Sequence, residues 1–108
     1  MAVQKETALQ NQIRLAVSRE CPGVTLFRNH CGALLDQRNR MVRFGLAPGS
    51  ADLIGIRHRD GKFLSMEIKL PGEKPRQDQI HWMRKIEDWN GLATVVTSVE
   101  EAVKFCSQ

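Results

Sequence analysis

The sequence has no tyrosine, and its 108 residues hold only four phenylalanines and two tryptophans. Modules that bind single strands or RNA stack bases on exposed aromatic rings, so this scarcity argues against a protein built on stacking. No helix-turn-helix spacing is present either. No apolar run approaches the roughly 18 residues of a membrane-spanning helix. The opening "MAVQKETALQNQIRLA" is polar and helix-like rather than a basic region leading into an apolar signal core. The expectation is a soluble, cytoplasmic protein with no membrane partner. Cysteine is scarce and unpaired in pattern: Cys21, Cys31 and Cys106 form no Cys-x-x-Cys motif, and His30, His58 and His81 are equally scattered. Local zinc-ligand spacing is therefore absent, and reduced thiols are expected.

Sixteen Lys and Arg against twelve Asp and Glu leave a formal charge of +4, which favours an anionic partner. The apolar share of 42% suffices for one modest core, so residues 1–108 are read as a single domain. Leu9, Ile13, Ala16 and Val17 recur at helical spacing up to Cys21-Pro22-Gly23. "VTLFRNHCGALLD" and "QRNRMVRFG" then read as two short strands joined by a polar turn at residues 36–40. "ADLIGIRHR" and "KFLSMEIKL" flank Asp60-Gly61 and read as a β-hairpin. A second helix is expected from about Pro75 to Asn90, stopped by Gly91 and burying Trp82, Met83, Ile86 and Trp89. The strand "LATVVTS" follows, and Ser98 with Glu101 suits the capping box of a last helix. Helix, strands, helix, strand and helix together predict an α/β fold with a mixed central β-sheet flanked by helices.

The unusual feature is "SMEIKLPGEK", which carries a glutamate and a lysine in a strand expected to be half buried. Alternation puts Glu67 and Lys69 on one face and Met66, Ile68 and Leu70 on the other. Folding symmetrically about Asp60-Gly61 brings Asp52 opposite Lys69, within one pleat of Glu67. Two carboxylates with few other ligands suit a partly hydrated Mg²⁺ or Mn²⁺ ion, and a neighbouring lysine can handle water and offset charge developing on a phosphodiester. Helical spacing also turns Glu6 and Gln79 toward the sheet, since each lies seven residues before a core isoleucine, Ile13 and Ile86.

"GSADLIGI" followed by "SMEIKLPGEKPRQDQIHWM" resembles the VRR-NUC branch of the PD-(D/E)XK nucleases, whose pattern is a helical Glu, Gly-x-x-Asp, Glu-x-Lys and a helix bearing Gln. Here these are Glu6, Gly49 with Asp52, Glu67 with Lys69, and Gln79. Ala51 stands where the pattern usually has proline, and Pro75 where it commonly has serine. The resemblance implies a divalent-metal-dependent DNA endonuclease with the restriction-endonuclease-like fold. Asp52, Glu67 and the backbone carbonyl of Ile68 would bind Mg²⁺ or Mn²⁺, with Glu6 as an outer or second-metal ligand. Lys69 would serve the nucleophilic water, and Gln79 would hold the lysine or that water.

Stand-alone relatives of this size resemble phage-borne Holliday-junction resolvases that act as homodimers, in which case the protein works in the host cytosol. A four-way junction has two-fold symmetry and needs two cuts, which a C2 dimer supplies. Arg28, Asn29, Arg38, Arg40, Arg43, Lys74 and Arg76 are the expected DNA-binding residues, with Arg84 and Lys85 adding positive charge on the second helix. The competing readings are a flap or duplex nuclease of the same fold and a non-catalytic basic nucleic-acid-binding module.

Overall fold

The computed structural model describes residues 2–108, and side chains from residue 5 onward. The chain runs α1 (Ala2–Glu20), β1 (Val24–Arg28), β2 (Gly32–Leu35), β3 (Met41–Phe44), β4 (Leu53–Arg57), β5 (Phe63–Ile68), α2 (Gln77–Asp88), β6 (Leu92–Val96) and α3 (Val99–Cys106). A mixed sheet of order β1-β4-β5-β6 forms the centre, antiparallel from β1 to β5 and parallel between β5 and β6. Among the described residues no helix is long and apolar enough to cross a membrane.

Alternation along β5 assigns the layers. Leu64, Met66 and Ile68 join Ile13 and Val17 of α1 and Ala102 and Cys106 of α3 in one core. The other face turns Ser65 toward Trp82 of α2, whose indole N–H donates to its hydroxyl at 2.8 Å, and Glu67 toward Gln79. Helices therefore cover β5 on both sides, and residues 64–69 are all buried, whereas the sequence suggested a half-buried strand. Cys21 and Cys106 lie buried and Cys31 is exposed, all as free thiols.

Other expectations change as well. The segment after α1 forms three strands, because the chain turns away at residues 29–31 and β2 pairs only with β3, in a separate hairpin around the expected turn at 36–40. Between β4 and β5 the loop is the four residues His58–Gly61, closed by Arg57 N–H donating to the Lys62 carbonyl at 3.0 Å. Asp60 clamps this wider turn by accepting from the Arg57 guanidinium at 2.7 Å. The pairing Leu53 with Met66 then continues to set Asp52 opposite Glu67, two residues from the expected partner Lys69 but on the same face.

α2 begins at Gln77, one residue after its N-cap Arg76, so Pro75 precedes the helix. The reason is local: the Arg76 N–H is taken by the side-chain oxygen of Gln79 at 2.8 Å, the helix-end half of a capping box. At the other end Asn90 takes φ 68°, and its N–H and that of Gly91 return to the carbonyls of Glu87 and Ile86. This is a Schellman end with asparagine in the left-handed position. A Cβ on Gly91 would sit 2.6 Å from the Ile86 side chain, so the helix end and the chain entering β6 meet closely there. Trp89, at the C-cap, stands 70% exposed instead of buried. α3 starts as expected, with the Ser98 hydroxyl accepting from Glu101 N–H at 3.2 Å.

Candidate functional site

The first requirement of the site is to hold Asp52 at the mouth of the sheet. Asn29, just past β1, accomplishes this from one side: its amide donates to Ser50 Oγ at 2.9 Å and to the Ala51 carbonyl at 2.8 Å, while its N–H donates to the Asp52 carbonyl. Gly49 works from the other. Its φ is +82°, and a Cβ there would lie 2.5 Å from the Asp78 carbonyl, so only glycine lets this loop press against the first turn of α2. The loop thereby brings Asp52 beside Gln79's neighbours on the sheet. The Asp52 carboxylate then accepts from Ile68 N–H at 2.8 Å and closes the β4–β5 ladder with a side chain.

Glu67, Lys69 and Gln79 meet Asp52 in a cleft of about 250 Å³ that Glu6, Asn29 and Arg76 also line. Glu67 is 4% exposed and Lys69 9%. Glu67 Oε1 accepts from Gln79 Nε2 at 3.0 Å and faces Lys69 Nζ at 3.8 Å. Burial, reinforced by the adjacent Asp52 charge, pushes the Glu67 carboxyl up to about 8 despite the lysine. The cleft is thus short of positive charge around its two paired carboxyls. Among the described residues no group of three or more His, Cys, Asp or Glu is arranged to hold a metal ion. Two carboxylates remain, and a strand residue's N–H and C=O lie on the same edge, so Ile68 aims its carbonyl to the side where its N–H meets Asp52. That donor set is all oxygen, as a hard divalent cation that keeps several waters requires.

The geometry adds partners that spacing did not supply. Gln79 donates to the Glu67 carboxyl and accepts from Arg76 N–H. Glu6 lines the cleft but is turned to Glu73; burial first, and then that hydrogen bond, raise its carboxyl above the usual range. Asn29, expected at the DNA surface, donates both amide hydrogens inside the protein and so positions the Asp52 loop. Arg40 is tied to Asp36 at 3.0 Å in the β2–β3 turn, beside Arg38. Arg43 on β3 and Arg76 line a second depression next to the cleft, whereas Arg28 and Lys74 are exposed outside it.

Glu73 is the cleft neighbour that pattern reading passed over. Its carboxylate accepts from Leu70 N–H at 2.7 Å, which folds the Pro71-Gly72 turn back and holds Glu73 below the usual carboxylate range. The signal was present as "LPGE", a turn with an acid placed to accept the first free N–H.

Fold and cleft together define one α/β domain with two carboxyls, a lysine and a glutamine gathered at the C-terminal end of a central strand. No protein-family model matches the chain, and a search of curated proteins gives no match either.

Proposed function

We propose that this protein is a divalent-metal-dependent DNA endonuclease of the PD-(D/E)XK, VRR-NUC type, resolving four-way junctions as a homodimer. The observation that carries the reading is the convergence of Asp52, Glu67 and Lys69 in one cleft, where burial and the Asp52 charge raise the Glu67 carboxyl above its usual range. A structural ion pair needs no second carboxylate; this one has a second that raises its cost. Asp52, Glu67 and the Ile68 carbonyl are the groups that would hold Mg²⁺ or Mn²⁺. When bound, such an ion supplies a Lewis acid for the phosphate and lowers the pKa of attacking water.

The chain's own contribution is positional and electrostatic. Gln79 fixes the Glu67 carboxyl, and Ile68 N–H fixes that of Asp52. Lys69, largely shielded from solvent, holds the water and offsets the negative charge that grows as its oxygen bonds to phosphorus and one ester P–O bond breaks. Arg76 at the cleft rim, with Arg43 beyond it, is set to take phosphates on one side of the cut.

The homodimer finds support in the β2–β3 hairpin. Its Leu34, Leu35 and Met41 are 67%, 60% and 63% exposed, on both faces of a two-stranded ribbon that is marginal in water by itself. The test is a cleavage panel of four-way junction, flap, duplex and single strand with Mg²⁺ or Mn²⁺. We expect paired nicks in the junction, and a Lys69→Ala variant that binds it but cuts about a hundred- to a thousandfold more slowly. Parental cutting by Lys69→Ala would remove the catalytic assignment, and preferred cutting of a flap would move the substrate.

A further inference from the structure

Three depressions on the surface follow one another, each sharing wall residues with the next. The cleft with Asp52 and Glu67 shares Pro48, Gly49 and Arg76 with a second hollow of about 390 Å³, which adds Arg43 and Phe44. Leu46 carries that second hollow into a third, of about 290 Å³, lined otherwise by Phe63, Trp82, Ile86, Trp89 and Gly91. The groove therefore follows the flank of α2 from Gln79 to Trp89, about 15 Å at the rise of a helix.

Its chemistry changes along the way. The end at the cleft is acidic, the middle offers the Arg43 guanidinium and that of Arg76, whose Nε is paired with Asp78 at 3.2 Å, and the far end is apolar with one large, exposed indole. Exposed Arg84 and Lys85 balance exposed Glu87 and Asp88 on this last turn, so the indole rather than a net charge distinguishes this end. What it accommodates is a flat, uncharged face linked to a phosphate lying further back, at Arg43 and Arg76.

We propose that this groove binds an unpaired stretch of DNA strand, with phosphates at Arg43 and Arg76 and a base stacked on Trp89 against Leu46. A paired base hides its faces inside the duplex and cannot use the indole, so the apolar end selects DNA with an unstacked nucleotide near the cut. The proposal rests on the nuclease reading for what lies in the cleft, but the groove is tested by binding alone.

The experiment uses the whole chain, without added divalent ion, follows wild-type tryptophan fluorescence on adding oligothymidylate or a blunt duplex of equal length, and measures the affinity of every variant by anisotropy of the dye-labelled DNA. Wild-type fluorescence should be quenched by the single strand. Trp89→Ala, which removes an exposed side chain and leaves the core intact, should lower single-strand affinity about tenfold and leave duplex affinity unchanged. Trp89→Phe should recover part of the loss. Because stacking releases no counterions, Trp89→Ala should keep the parental salt slope, whereas Arg43→Ala should flatten it by about one ion.

Single-strand affinity that survives Trp89→Ala would overturn the groove, and so would a Trp89→Ala effect confined to the mass seen by light scattering, since a second copy would then cover the indole. A wild type that cuts no DNA but loses single-strand affinity on Trp89→Ala would sustain the groove and end the nuclease reading. Junction cutting with no Trp89 dependence of single-strand binding would do the reverse.

Discussion

β5 and the β2–β3 hairpin depart from the usual division of apolar inside and polar outside in opposite directions. β5 buries a glutamate and carries the chain into a buried lysine, while the hairpin leaves leucines and a methionine in water. Each departure destabilises the isolated chain, and the contrast lies in what offsets it. In the cleft the polar groups are partnered internally: Glu67 has Gln79 and Lys69, Asp52 has Ile68 N–H, and among the described residues no buried side-chain polar atom lacks a partner. The hairpin has its own ladder and turn, but every residue of its two strands stays exposed among the described residues. The cleft is a rigid site held ready for a charge it lacks, and the hairpin is a surface that only another molecule can dry.

The sharpest way to break this contrast is to neutralise Glu67. Its folded carboxyl titrates near 8 against 4.5 for a free one, so between those values the folded state binds more protons than the unfolded chain. Stability therefore falls as pH rises through that window. Carboxyls held below the usual range, such as Glu73 and Glu101, lose their contribution only under more acid conditions. Urea denaturation without divalent ion should show wild type losing a few kcal/mol from pH 5 to pH 8. Glu67→Gln can still accept from Gln79, so it should flatten that slope, be the more stable protein at pH 8, and cut no DNA. Parallel slopes in the two proteins would mean that Glu67 is already ionised and the cleft is an ordinary ion pair.

At the hairpin the expected effect on folding is small and the effect on mass is large. Leu34→Glu combined with Met41→Glu charges one position on each face of the ribbon. Light scattering at micromolar concentration should report twice the 12.2 kDa chain mass for wild type and the chain mass for the variant. The variant's unfolding free energy should stay within about 0.5 kcal/mol of a wild type diluted to monomer, as for substitutions on exposed surface. An unchanged mass would assign the apolar ribbon to some other role, and a monomeric wild type would weaken junction resolution more than nuclease chemistry.

The two regions also differ in how far they could be read in advance. The face shared by Asp52, Glu67 and Lys69 followed from alternation, and it survived a wrong hairpin loop because the error was two residues, which preserves the face. The inward azimuths of Gln79 and Glu6 followed from helical spacing, but their partners did not. Periodicity tells where a side chain points, whereas Gln79 bonding to Glu67 and Glu6 to Glu73 depend on how far each helix is slid along the sheet. The partners of Asn29 were equally hidden, because a polar residue at a strand end suits solvent, ligand and loop clamp alike; only the approach of Ser50 and Ala51 shows the clamp. The hairpin's turn was legible, but β2 was read as a continuation of β1 because "GALL", like "MVRF" across the turn, is as apolar as a core strand. Their exposure is a property of the assembled molecule, invisible to a pattern that scores apolarity as burial.

The finest test compares the two ribbons by hydrogen exchange. Amides of Leu64–Ile68 lie in a strand paired on both sides and buried on both faces, so they should exchange only through global unfolding, at a rate independent of protein concentration. Amides of Met41–Phe44 have one partner strand and open faces, so they should open locally and be protected progressively as concentration rises and copies associate. Asp36 ties the turn of this hairpin through the N–H groups of Arg38 and Arg40, both at 2.8 Å. Asp36→Ala should therefore hasten exchange in Met41–Phe44 while leaving Leu64–Ile68 as it was. If β5 amides speed up as well, the hairpin is mechanically part of the domain, and its exposed leucines stabilise the fold through contacts rather than wait for a partner. If neither set responds to concentration, no association covers the ribbon, and the two departures from ordinary burial would share one cause within a single chain.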